Sequence, residues 1–155
     1  MSNPFWDYSF ATYKLDGVAT SCLALQDTFG LDVNLLLYAA WLARLDQRLS
    51  EEHLAAMEAV IFDWRDQVIK PLRALRQQLQ GYPRAASVRD EIKTLELRAE
   101  QQQQDMMFAF FQQTAGLPKT PRPLRENLVL VARFANSETA GWVTALELLG
   151  TLIPP

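Results

Sequence analysis

Residues 32–47 read DVNLLLYAAWLARLDQ, and the fold turns on them. Asp32 is an N-cap residue type, and the run Leu35, Leu36, Leu37, Tyr38, Ala39, Ala40, Trp41, Leu42 leaves no polar face on a spiral of 3.6 residues per turn. A helix that is apolar all round is buried in the middle of a bundle. The rest of the chain must therefore supply helices to cover it.

Upstream, Phe5–Leu45 (FWDYSFATYKLDGVATSCLALQDTFGLDVNLLLYAAWLARL) is almost continuously apolar. Asn3-Pro4 sets a cap before a proline at the first helical position, opening a short helix through about Lys14. Asp16 is the expected cap of a second helix, which Gly30 closes after Phe29. The third helix, capped by Asp32, is expected from Val33 to about Gln47. Downstream, Ser50 caps a fourth helix, with Glu51 and Glu52 set against its N-terminal dipole. Its apolar residues Leu54, Met57, Ile61, Trp64, Val68, Leu72, Leu75 and Leu79 recur in steps of three and four, which predicts a seam against another long helix. Pro71 removes one backbone donor, so a kink or break is expected there.

Gly81-Tyr82-Pro83 is a turn signal. Ser87 with Asp90 resembles a capping box and opens a fifth helix to about Ala115, stopped by Gly116. Val88, Ile92, Leu95, Ala99, Met106 and Phe110 give the complementary seam, with Gln102 standing at an apolar position. Leu117–Pro123 (LPKTPRP) is an extended connector. Two short helices follow, roughly 122–135 and 137–150, the second capped by Ser137 and ended by Gly150.

The expected fold is all-α: a single-domain helical bundle of six to seven helices. Residues 1–49 form the N-terminal helices with the buried third helix. Residues 50–116 form a long antiparallel hairpin (about 51–80 and 87–115), and 117–155 hold the connector and the two short helices.

Composition narrows the function classes. A chain of 155 residues with 49% hydrophobic content fits an ordinary globular domain. A net charge of −3 argues against whole-protein attraction to DNA, RNA or anionic lipid. One cysteine, Cys22, excludes an internal disulfide and a Cys-rich zinc site; among apolar neighbours it reads as a small hydrophobe. The longest apolar run, Leu35–Ala43, is far short of the ~20 residues that span a bilayer. With no signal-peptide pattern at the N-terminus, the chain reads as cytoplasmic and non-membrane. Charge is polarised: residues 1–69 hold four basic and ten acidic groups, whereas residues 70–93 hold six basic and two acidic.

Phe5-Trp6, Tyr13, Gly17-Val18, Cys22-Leu23, Leu25-Gln26-Asp27, Gly30, Asp32-Val33-Asn34, Leu36-Leu37 and Trp41 also resemble a group of uncharacterised proteobacterial proteins of about this length. That group is catalogued as a domain of unknown function (number twenty-three ninety). The likeness continues more weakly through Trp64, Pro71-Leu72-Arg73 and Arg76. It implies a bacterial cytosolic helical protein and transfers no catalytic residue.

Two groups of residues stand out as candidate sites. Gln26, Asp27, Asp32 and Asn34 lie within nine residues inside apolar sequence, where an unpaired buried polar group costs about 1–3 kcal/mol. They serve either as turn and cap partners for backbone or, beside Tyr38 and Trp41, as the polar lining of a small-molecule or partner pocket. Their chemistry matches no metal ligand set, and no cofactor is expected. Lys70, Arg73, Arg76, Arg84, Arg89 and Lys93 gather at the hairpin end, with Tyr82 at its turn. They read either as solvated faces or as a basic tip for an acidic protein surface or RNA phosphates.

The remaining chemistry is thin. His53, the one histidine, is expected exposed in the first turn of helix four, outside any Glu-x-x-His motif, which excludes a di-iron bundle. Asp63 and Asp66 are at most a weak echo of a diphosphate motif. No phosphate loop, nucleotide fingerprint or hydrolase elbow is present. The reading that follows is non-enzymatic: an interaction or adaptor protein with a protein partner or a second copy of itself, RNA or ribosome contact at the tip being the alternative.

Overall fold

The computed structural model describes residues 2–135 and 141–155; Ser137, the expected cap of the last helix, lies outside them. The described residues form eight α-helical segments: α1 Pro4–Tyr13, α2 Val18–Phe29, α3 Val33–Arg44, α4 Glu51–Trp64, α5 Lys70–Gln78, α6 Ala86–Gln113, α7 Leu124–Ala135 and α8 Trp142–Leu152. A π-helical turn, Arg65–Ile69, joins α4 to α5 without interruption, so the segments make seven rods. Among the described residues the only β pairing is an isolated antiparallel bridge between Gln47 and Lys119. The all-α architecture and its long antiparallel pair stand as the sequence implies. The chain groups into two compact units, Met1–Ala55 with Thr114–Pro155, and Ala56–Gln113.

In the first unit α3 is the centre. Every residue from Asn34 to Ala43 is buried, with α1, α2 and α7 against it and α8 against α2 and α7. Phe5 meets Tyr38 edge-on at 5.4 Å and Trp41 at 5.3 Å. Each large side chain buried this way is worth about 1.5–3 kcal/mol.

Three of the expected helix ends hold. Asn3 Oδ1 accepts from the N–H groups of Phe5 and Trp6 at 3.0 and 3.1 Å. Gly30, at φ +68°, closes α2 with its N–H bonded to Gln26 O at 3.0 Å, an αL end. Asp32 Oδ1 accepts from Asn34 N–H and Leu35 N–H at 2.8 and 3.3 Å.

Three others differ. Asp16 does not cap α2: that role falls to Gly17, whose left-handed backbone (φ +82°) lets Val18 N–H bond to Leu15 O within a tight turn. Helix α3 stops at Arg44, where Asp46 turns left-handed (φ +54°) and Gln47 N–H folds back to Leu42 O. Gly150 lies inside α8, its backbone not left-handed; the helix ends two residues on, just before Pro154, which cannot extend it.

The clasp of this unit is Asn127. Fully buried on α7, it donates through Nδ2 to Ala39 O (3.2 Å) and Gln47 O (3.0 Å) and accepts from Leu49 N–H (2.8 Å).

In the second unit the chain runs down through the π turn and α5, turns over Leu79–Ala85, and returns along α6, a rod of 28 residues about 42 Å long. Pro71 does not break the helix. The proline has no N–H and its ring crowds the carbonyl four residues back. A turn widened by one residue just upstream, with Lys70 N–H bonding to Arg65 O, takes up the misfit. Inserting one residue advances the helix face by one position. Before the turn the buried positions are Met57 and Ile61. Beyond it Ile69 is fully buried and Val68, Leu72, Arg76 and Leu79 are half-buried, while Leu75 is 44% exposed. Helix α6 answers in the same phase. Its buried face is Ile92, Glu96, Ala99, Gln103 and Met107, while Val88 and Leu95 of the expected seam are exposed.

Candidate functional site

The structure separates the polar quartet into different jobs. Asp32 is the α3 cap, and Asn34, buried in the first turn, gives its N–H to that cap. Gln26 is half-buried and Asp27 exposed in the last turn of α2. Two cavities in the first unit, about 260 and 470 Å³, are lined by other residues. Among the described residues no group of three or more His, Cys, Asp or Glu side chains is placed to hold a metal ion.

Tyr38 and Trp41 face the core rather than solvent, and Tyr38 has the partner that sequence reasoning missed. Its hydroxyl lies 2.8 Å from His53 Nε2 and the two rings stack with an interplanar angle of 2°. His53 is therefore buried, which corrects the expectation of an exposed side chain. Ser50 Oγ accepts from His53 N–H at 3.1 Å, and that cap fixes the first turn of α4 so that the imidazole points inward. Burial lowers the His53 pKa below 6.5 and raises that of Tyr38. Both groups are thus neutral at pH 7, a hydrogen-bonded pair closed off from solvent. Cys22 is equally enclosed, and burial pushes its thiol up to about 12, where it is no nucleophile.

The basic residues of the hairpin divide into two sets. Arg73 Nε donates to Glu96 Oε1 at 3.0 Å and its Nη2 to Glu100 Oε1 at 3.1 Å; Arg76 Nε donates to Glu96 Oε2 at 2.5 Å. Lys70 pairs with Asp66 at 3.0 Å, and Arg65 bonds to Glu58 and Asp66. Trp64 Nε1 donates to Ala99 O at 2.8 Å. Burial alone would push the Glu96 carboxyl up, but hydrogen bonds and charge from Arg76 and Arg73 outweigh that and hold it below its ordinary value.

The phase advance at the π turn is the reason for this network. It turns Arg76 to the helix that Leu75 would otherwise face, and Glu96 stands opposite. Arg84, Arg89 and Lys93 form no ion pair among the described residues.

These three cations share the hairpin end with apolar side chains. Tyr82 is 59% exposed, Val88 49% and Leu95 48%, beside Leu75. Leu75 precedes Arg76, and Leu95 precedes Glu96, by one residue, about 100° around the helix. In an antiparallel pair equal rotations from the contact line fall on the same side, so Leu75, Leu95 and Val88 (seven residues before Leu95) share one flank. The apolar spacing legible in the sequence is real, but at this end it marks a surface.

No described helix is long and apolar enough to cross a membrane. The family described as "Protein of unknown function (DUF2390)" matches residues 4–107, and the chain belongs to it. No curated protein and no solved structure matches the chain.

Proposed function

We propose that this chain is a bacterial cytoplasmic interaction protein that binds an acidic, partly apolar protein surface through the end of its α5–α6 hairpin. One observation carries the reading: Leu75, Val88 and Leu95 form an exposed apolar flank at a hairpin end that also carries exposed Tyr82 and the cations Arg84, Arg89 and Lys93, none of them in an ion pair among the described residues. An apolar centre with a charged rim is the ordinary anatomy of a protein interface. Arg73 and Arg76, the residues that made RNA attractive, are taken up by Glu96 and Glu100. Three remaining cations would give RNA binding a salt slope of only about −2.

A photo-crosslinking residue at Leu95 tests this, with one at exposed Thr20 as the control. The expected result is a discrete protein adduct from position 95 alone, lost when Arg84 and Arg89 become Glu. Identical adducts from both positions, or none from 95, would refute the reading. A nuclease-sensitive adduct would replace the protein partner with RNA.

A further inference from the structure

Arg122 combines features that nothing above uses. It lies between Pro121 and Pro123 with φ +53°, a conformation that L side chains rarely adopt. Its N–H reaches Asp46 Oδ1 at 3.4 Å, while Thr120 N–H bonds Asp46 O at 2.8 Å, and Asp46 is itself left-handed. The exposed guanidinium makes no ion pair or hydrogen bond among the described residues. Backbone strain that leaves a cation unpaired is the pattern expected where the cation has a use.

The side chain lies between a cavity it shares with Arg44 and Asp46 and a groove of about 470 Å³ between α7 and α8. Leu124, Leu128, Val129, Trp142, Val143 and Leu146 form its walls, so its length is apolar. Its polar end holds Arg122, Arg125 and Glu147, the last two joined by an exposed 3.4 Å contact. Of these side chains Arg122 alone has no ion-pair partner among the described residues, and it stands at the end where the first-turn N–H groups of α7 also favour an anion.

We propose that this groove binds a free medium-chain fatty carboxylate, its chain along Leu128, Trp142 and Leu146 and its carboxylate received by Arg122. Size favours this occupant. From Trp142 to Thr151 the groove runs about 13 Å, the length of an extended chain of about ten carbons. Its volume falls within the ~300–1,000 Å³ of small-ligand pockets. The inference is independent of the hairpin interface and survives its failure.

Titration calorimetry of the whole chain with decanoate, decanol and acetate tests the proposal. Decanoate is expected to bind saturably at one site, decanol at least tenfold more weakly, and acetate not at all. Arg122→Gly removes the cation and relieves the backbone together. It should lose at least tenfold in decanoate affinity while its Tm stays level or rises, a combination that damage to the fold would not produce. Val143→Glu, at the partly exposed groove wall, should abolish binding with the helix content intact, and Arg122→Lys should restore part of the affinity that glycine loses. Equal affinity for decanoate and decanol would overturn the proposal. So would Arg122→Gly binding as tightly as the parent, or uptake only without saturation near micelle formation.

Discussion

Arg76 and Glu96, twenty residues apart in the chain, meet inside the hairpin at 2.5 Å, with the Glu96 side chain only 8% exposed. Glu96 also receives Arg73, so one carboxylate holds two guanidinium groups on the facing helix. Glu96→Gln would leave two partly buried cations short of an acceptor. The arginines are a fifth to a quarter exposed, so the cost falls below the 3–5 kcal/mol of a fully buried pair, at about 1–3 kcal/mol. Urea unfolding should show this as a lower midpoint at unchanged slope.

The same carboxylate sets an acid limit. Its folded pKa lies below the ordinary 4.5, so its contribution is complete above that value and is lost as pH falls through the folded pKa. Stability measured from pH 5 downward should therefore fall more steeply in the parent than in Glu96→Gln.

His53 gives a second, separate window. Being the only histidine, its imidazole yields a single set of proton NMR resonances. Burial places their midpoint below 6.5. The unfolded chain then takes up a proton before the folded one does. Stability is thus full above pH 6.5 and declines as pH drops from there to the folded value. His53→Gln should flatten that decline, and a midpoint at or above 6.5 would contradict the buried pair with Tyr38.

Asn127→Ala removes one acceptor and two donors at a site with no access to water. Leu49 N–H and the carbonyl groups of Ala39 and Gln47 lose their partner, at an expected cost of about 2–4 kcal/mol. Asn127→Asp should be no better, since it restores the acceptor without the Nδ2 donors. Thermal unfolding followed by circular dichroism checks both variants.

Gly30→Ala isolates a backbone term. A Cβ there meets nothing within 4 Å, yet φ is +68°. The loss should be about 1 kcal/mol from conformation alone, and Gly30→Asn, which tolerates the left-handed region better, should cost less.

Much of the fold was legible because its signals are local. Asn3, Gly30 and Asp32 announce helix ends through their own side chains or backbone freedom, and the unbroken apolar run Leu35–Leu42 demands burial wherever it sits. The hairpin phase was not legible. Spacing in threes and fours cannot reveal that Pro71 is accommodated by widening the turn before it, and that one extra residue turns Arg76 rather than Leu75 toward α6, where Glu96 and not Leu95 stands opposite. The charges were the available signal: Arg73, Arg76, Glu96 and Glu100 are a complementary set, but pairing them requires the register. For His53 and Asn127 no local pattern exists. Their partners Tyr38 and Ala39 lie 15 and 88 residues away, and only the assembled unit brings them together.

The hairpin phase is the claim on which both the ion-pair network and the exposed flank depend, and cysteine labelling reads it directly. Native Cys22 is fully buried, with its thiol pushed up to about 12, so it stays silent in the folded protein. Single variants Leu75→Cys and Leu95→Cys should label nearly as fast as unfolded chain, while Ile69→Cys and Ile92→Cys should label slowly. Protection at positions 75 and 95 with rapid labelling at 69 would mean that the helix keeps its phase through Pro71, and the account would fail.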